Sequence, residues 1–194
     1  INCAAYTAED LAESEKEKAT SINAKGTENL ANACKINDAI LIHVSTDFVF
    51  DGAKKSPYLE VDSTNPQSVY GETKLDGELV IQRTLKEHFI IRTSWLYSEY
   101  GNNFMKTMLR LGKERPELGV VNDQIGTPTY AKDLAQVILQ IVQSDFDVYG
   151  IYHYSNEGEI SWFDFATSIF DLEKISVQLN GIPTESYPTP AKRP

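Results

Sequence analysis

Residues 39–44, Ala-Ile-Leu-Ile-His-Val, form a continuous apolar run that stops at Ser45-Thr46-Asp47. A run without polar alternation is the pattern of a strand covered on both faces, which is how parallel sheets are built. A second such run, Phe89-Ile-Ile-Arg-Thr93, follows a helix-forming segment from Val69 to Leu85. Strand, helix, strand is the βαβ order, so the first half of the chain is expected to be α/β. Between Asp51-Gly52 and Pro66 the polar stretch holding Pro57, Asp62, Ser63, Thr64 and Asn65 reads as a long loop, and long loops are more often functional than idle. From Glu9 to Lys35, Leu11, Ala19, Ile22, Gly26, Leu30, Ala33 and Cys34 recur mostly at intervals of three and four, the spacing of one amphipathic helix.

After Tyr100-Gly101 the texture changes. Helices are expected over 103–114 and 131–143, short strands at 120–121 and 150–155, and another helix starting at Ser161 as its N-cap. The division expected is 1–100 for an α/β first part and 101–194 for a second lobe.

With 194 residues, 41% hydrophobic and 24% charged, the chain has an average globular composition and should fold. The formal charge of -10 disfavours nucleic acid and anionic membrane surfaces as partners. No apolar run approaches the roughly 20 residues of a bilayer-spanning helix, and nothing points to export, so a cytoplasmic location is expected. Cys3 and Cys34 are in no metal or disulfide pattern and are expected to be small buried residues. His43, His88 and His153 are isolated and read as core histidines, so no metal is expected. Trp162 reads as a core anchor, and for Lys192-Arg193 a diphosphate contact and a surface role stay equally open.

The sharpest chemical feature is Tyr70-Gly-Glu-Thr-Lys74. Residues four apart on a helix share a face, so a phenol would lie beside an ammonium. A cation there would lower the phenol's pKa from about 10 and make it a proton donor or acceptor. The spacing alone is no rarer than chance, and the context carries the argument. Thr46 and Asp47 end a buried strand at the carboxyl edge of the sheet, where open α/β folds bind ligands. A hydroxyl there can hydrogen-bond a substrate carbonyl while Tyr70 protonates it.

The segments Asn2-Cys-Ala-Ala-Tyr-Thr7, Ser45-Thr-Asp-Phe-Val-Phe-Asp-Gly52, Tyr70-x-x-x-Lys74, Arg92-Thr-Ser-Trp95 and Asp123-Gln-Ile-Gly-Thr-Pro-Thr129, with the tail 187–194, resemble the dTDP-4-dehydrorhamnose reductase family of the extended short-chain dehydrogenase/reductases. The resemblance implies a Rossmann-like doubly wound parallel sheet with a smaller α/β substrate-binding lobe. It also implies reduction by NADPH or NADH of the 4-keto group of a dTDP-linked 6-deoxy sugar, in a site between the lobes. On matching positions Tyr70 would donate the proton, Lys74 would lower its pKa and bind the nicotinamide ribose, and Thr46 would hydrogen-bond near the carbonyl. Asp47 and Trp95 would contact the sugar nucleotide, and Ala4, Ala5, Tyr6 and Asn23 would lie along the cofactor. A homodimer is left open.

Two departures stand out. Phe48 replaces a Tyr common in the family, and the 11 glycines contain no Gly-x-Gly-x-x-Gly or Gly-x-x-Gly-x-x-Gly turn for a pyrophosphate. In the family that turn precedes the position of Ile1. The chain, which lacks an initiator Met, is therefore expected to be a piece without the first βαβ units, binding dinucleotide poorly and turning over negligibly by itself. The competing readings are a non-catalytic regulatory subunit like that of a methionine adenosyltransferase, and a nucleotide-sugar epimerase or dehydratase.

Overall fold

A computed structural model describes all residues 1–194, which separate into two compact units. The chain runs through α1 (Glu9–Ala12), α2 (Lys16–Thr20), a π-helical segment (Ser21–Gly26), α3 (Thr27–Ile36), β1 (Leu41–Thr46), a 3-10 turn (Asp47–Val49), α4 (Val69–Thr84) and β2 (His88–Thr93). It continues through β3 (Leu96–Tyr97), α5 (Phe104–Glu114), β4 (Glu117–Val121), β5 (Ile125–Gly126), β6 (Thr129–Tyr130), α6 (Ala131–Gln143), β7 (Gly150–His153), β8 (Ile160–Ser161), α7 (Trp162–Glu173) and β9 (Gln178–Ile182).

The first unit comprises Ile1–Thr93, Ile141–Tyr154 and Thr189–Pro194. Its sheet is parallel in the order β1-β2-β7, with Asn2 bridged to His43 on the other side of β1. The register sets Ser45 opposite Arg92 and Thr46 opposite Thr93, so two threonines end adjacent strands at the carboxyl edge. Ala31 of α3, Ile81 of α4 and Leu41 and Ile90 of the sheet form a buried cluster with Leu85. The division expected at residue 100 is corrected here. The strand at 150–153 and the last six residues belong to the first unit, because β7 completes the sheet beside β2 and the tail binds α1. Asp10 accepts from Ala191 N–H at 3.1 Å and from the Arg193 guanidinium at 2.9 Å.

The helix expected from Glu9 to Lys35 is interrupted at residues 13–15, and its longer part, 16–36, passes through a π-helical segment at Ser21–Gly26. The face it buries also differs. Ala19, Asn23, Thr27 and Ala31, four residues apart, are buried, while Leu11, Ile22 and Leu30 are exposed. The cause is the closeness of α4: a Cβ added at Gly77 would lie 2.5 Å from the Asn23 carbonyl oxygen. Only small or polar side chains fit that seam.

The second unit comprises Ser94–Gln140 and Ser155–Pro188. It holds three two-stranded pairings, β4-β9 and β3-β6 parallel and β5-β8 antiparallel. Met108, Leu118, Val120, Phe165, Ala166, Ile169 and Phe170 form its core. Ser161 begins α7 with a capping box to Asp164, as its sequence position suggests.

Candidate active site

The end of β1 turns sharply because Thr46 caps the 3-10 turn: its Oγ1 accepts from Phe48 N–H at 3.3 Å and donates to Asp47 Oδ1 at 3.1 Å. Helix α4 starts against this turn. Ser68 caps it, accepting from Gly71 N–H at 3.2 Å, and any Cβ at Gly71 would collide with the Phe48 carbonyl oxygen. Glycine at 71 thus lets the first turn of α4, which carries Tyr70, press on the strand end. Phe48 packs edge-on against the Tyr70 ring, with centroids 5.3 Å apart, and Tyr6 joins the same buried cluster.

Burial pushes the Tyr70 phenol well above its ordinary range. A side-chain hydrogen bond with Thr46 acts against that shift, and the charges of Glu9 and Asp47 add to it. Thr46 and Tyr70 meet through Phe48, whose N–H donates to Thr46 Oγ1 and whose ring packs on Tyr70. Lys74, one turn on, is buried, with Nζ donating to the Val44 carbonyl at 2.7 Å and lying 3.4 Å from His43 Nε2. Burial lowers it to about 8, against the raising influence of Glu78 and Cys3. The expectation that Lys74 lowers the phenol's pKa is corrected: desolvation dominates and carries Tyr70 upward. Burial likewise pushes the Asp47 carboxyl up to about 6, with the Thr46 hydrogen bond opposing it.

Of the other expected residues, Ala4 is exposed and Ala5 half-buried, while Tyr6 is buried with its hydroxyl donating to Glu15 at 2.7 Å. Asn23 has a different place from the cofactor contact expected of it. It is 1% exposed, accepts from Tyr6 N–H at 2.8 Å, and donates to the Tyr6 carbonyl at 3.2 Å and Thr73 Oγ1 at 3.0 Å. Thr73 in turn donates to the Tyr70 carbonyl at 3.0 Å. Asn23 is thus a buried tie between the 4–6 segment and α4. Cys3 is also corrected: it is exposed, because Asn2 takes the inward position beside it, and Cys34 is half-buried.

In the second unit Trp95 holds a left-handed backbone (φ +47°) and stacks on Trp162, with ring centroids 3.5 Å apart. Gly126 permits this, since a Cβ there would lie 2.5 Å from the Trp95 ring. Strained backbone of this kind clusters at ligand sites.

Sequence reasoning missed the ion pair behind the site. Glu78, one turn beyond Lys74, is fully buried and accepts two bonds from Arg92 Nε at 3.0 and 3.2 Å, one from Arg92 Nη2 at 2.6 Å, and one from the Ser45 hydroxyl. The signal available was the four-residue spacing of Tyr70, Lys74 and Glu78, together with an arginine inside an apolar strand. Thr93 was missed too; its Oγ1 is buried without a hydrogen-bond partner, next to Thr46 in the register.

A Tyr and a Lys one turn apart on a helix, facing a hydroxyl at the carboxyl edge of a parallel sheet, define the class as an extended short-chain dehydrogenase/reductase with a partial Rossmann-like sheet. The family described as RmlD substrate binding domain matches residues 1–194. A dTDP-4-dehydrorhamnose reductase from Aggregatibacter actinomycetemcomitans is 48% identical, covering all of this chain and 69% of that protein. The crystal structure of a dTDP-4-dehydrorhamnose reductase ortholog from Clostridium acetobutylicum superposes with a TM-score of 0.97 at 49% identity, over all of this chain and 68% of the other. That of the enzyme from Bacillus anthracis, in complex with NADP, gives 0.95 at 46% over 99% and 68%. The chain belongs to the dTDP-4-dehydrorhamnose reductase family.

Proposed function

We propose that this chain carries the proton-donating and sugar-nucleotide-binding parts of a reductase that uses NADPH or NADH to convert the 4-keto group of dTDP-4-dehydro-L-rhamnose to the alcohol of dTDP-L-rhamnose. One observation carries the reading: Thr46 at the mouth of β1 and Tyr70 at the start of α4 are both buried, with Phe48 of the turn that Thr46 caps packed on the Tyr70 ring and Lys74 one turn along the same helix. The nicotinamide, when bound, supplies the hydride to C4. The residues present fit that group. Ala4 and Ala5 are small and open enough to let a flat ring approach, Lys74 offers a buried donor for a ribose hydroxyl, and Thr93 Oγ1 is a buried polar atom without a partner.

To orient the carbonyl oxygen, the Thr46 hydroxyl turns its one proton from Asp47 Oδ1 to that oxygen. Tyr70, held as the neutral phenol by its burial, carries the proton and transfers it as negative charge develops on that oxygen. Trp95, backed by Trp162, offers a flat apolar face to the sugar nucleotide, and Asp47 an acceptor for a sugar hydroxyl. The test extends the chain to the length of its curated relatives and follows NADPH oxidation with the dTDP-4-keto sugar. Tyr70→Phe is expected to lower kcat by about a hundredfold or more, the scale of general acid catalysis. An unchanged kcat removes Tyr70 as the acid.

A further inference from the structure

The long loop between Asp51 and Pro66 is fastened at its middle by one histidine, and the reduction chemistry above does not use that fastening. Both ends of the loop abut the site. It leaves β1 through Phe50, just past the turn that Thr46 caps. It returns where Asn65 N–H donates to the Val49 carbonyl at 2.9 Å and Pro66 meets the start of α4 at Gly71. Its middle presents Leu59 and Val61 to solvent, so little apolar burial holds it beyond Tyr58, whose ring stacks on buried Phe50 with centroids 4.3 Å apart.

The polar fastening comes from His153, at the end of β7. Its backbone N–H donates to Glu60 Oε1 at 2.9 Å, and its ring Nδ1 lies 3.1 Å from the Tyr58 carbonyl oxygen. The ring also packs edge-on against Phe50, with centroids 5.7 Å apart. A carbonyl oxygen only accepts, so Nδ1 carries the proton, and in the neutral ring Nε2 is bare. Nε2 is buried without a hydrogen-bond partner. Its neighbour in the register is Arg92, whose guanidinium lies over the same Phe50 ring at 5.1 Å and whose Nη1 is likewise buried and unpartnered. A bare nitrogen suits a guanidinium there, whereas an N–H would set a buried donor against donors and a cation beside a cation.

We propose that His153 is a positioning residue that pins the 51–66 loop beside Thr46 and Asp47 through an imidazole that is neutral and protonated at Nδ1, and that a second proton, at Nε2, releases the loop. That the pinned loop serves the reductase site rests on the function proposed above; the pin and its release do not. Burial lowers the ring from its ordinary value and Arg92 of β2 acts in the same sense. Glu60 of the loop, the Tyr58 carbonyl and Glu78 of α4 oppose them, and burial prevails. Asp62, also of the loop, feels the charge of His153 and is paired with Lys54. A histidine lowered in the folded state contributes stability that is full above about pH 6.5 and is lost as pH falls through the folded value, so the loop loosens in acid.

The test is nitrogen-15 NMR and amide hydrogen exchange of the 194-residue chain between pH 7 and 5, a window in which Glu60 and Asp62, held below their ordinary values, stay ionised. At pH 7 the His153 ring should be protonated at Nδ1 and bare at Nε2; the reverse tautomer overturns the proposal. The His153 and Leu59 amides donate to Glu60 and Asp62, and their protection factors should fall by about threefold or more towards pH 5. Flat protection overturns the release. His153→Asn puts an amide N–H where Nδ1 stands and does not titrate: protection of Leu59 should persist at pH 7 and its acid loss should vanish, and a loss that persists refutes the assignment to His153. His153→Phe keeps a ring against Phe50 without a donor and should lose that protection already at pH 7; a ring that served packing alone would retain it, which refutes the pin. If neither variant folds, the tautomer and the acid loss in the unsubstituted chain decide. No turnover is read, so failure of the proposed reductase function and failure of this inference are separate outcomes.

Discussion

Asp47 holds a carboxyl that burial raises from its ordinary value to about 6. A carboxyl raised in the folded state contributes stability at low pH, where it is protonated in both states, and loses it as pH rises from about 4 through about 6. The loss amounts to at most about 3 kcal/mol for a shift of roughly two units. Urea unfolding at pH 4 and pH 7 should show Asp47→Asn losing less stability over that interval than the unsubstituted chain; parallel losses would contradict the assignment. Thr46, Tyr70 and Lys74 were legible in the sequence because they are separated by a strand end and by one helical turn. Asn2, His43, Glu78 and Arg92 were not, because their partners lie far along the chain and only the register of β1, β2 and α4 brings them together. Apolar periodicity carries no information about which buried polar groups satisfy one another. The same blindness to burial explains why the direction of the Tyr70 shift was misread: helix spacing shows the nearby cation but not the desolvation that outweighs it.

Helix α4 organises both the core and the site, and its two glycines are where it comes closest to its neighbours. Gly77→Ala would drive a methyl to 2.5 Å from the Asn23 carbonyl oxygen, and overpacking of this kind costs about 1–3 kcal/mol. The midpoint of urea unfolding should fall accordingly with an unchanged slope; an unaltered midpoint would mean that the seam between α4 and the π-helical segment is looser than described. Removing one partner of a buried ion pair is costlier, about 3–5 kcal/mol, because it leaves a charge without compensation. Glu78→Ala should therefore unfold at markedly lower denaturant than Glu78→Gln, which keeps hydrogen-bond acceptance from Ser45 and Arg92. The existence of β1, α4 and β2 followed from apolar runs and their alternation. The face of the first helical stretch did not: its buried stripe of Ala19, Asn23, Thr27 and Ala31 is dictated by the closeness of α4, and the large apolar residues that suggested the opposite face are exposed.

The chain crosses between its two units more than once, which linear reading could not reveal. The change of texture near residue 100 marks a real transition at Thr93–Ser94, yet residues 141–154 and 189–194 return to the first unit. A protein cut to residues 1–100 lacks β7, the strand hydrogen-bonded along β2, and the Arg193 contact with Asp10. It should show no cooperative thermal transition by circular dichroism; a sharp transition at the temperature of the 194-residue chain would contradict this division. The function proposed above depends on Thr46 and Tyr70 acting on one carbonyl oxygen. A double-mutant cycle of kcat with Thr46→Val and Tyr70→Phe, in the chain extended to the length of its relatives, tests that joint action most directly. Coupled losses are predicted, the double variant being far less impaired than the product of the single effects; strictly multiplicative losses, or full activity in either single variant, would contradict it.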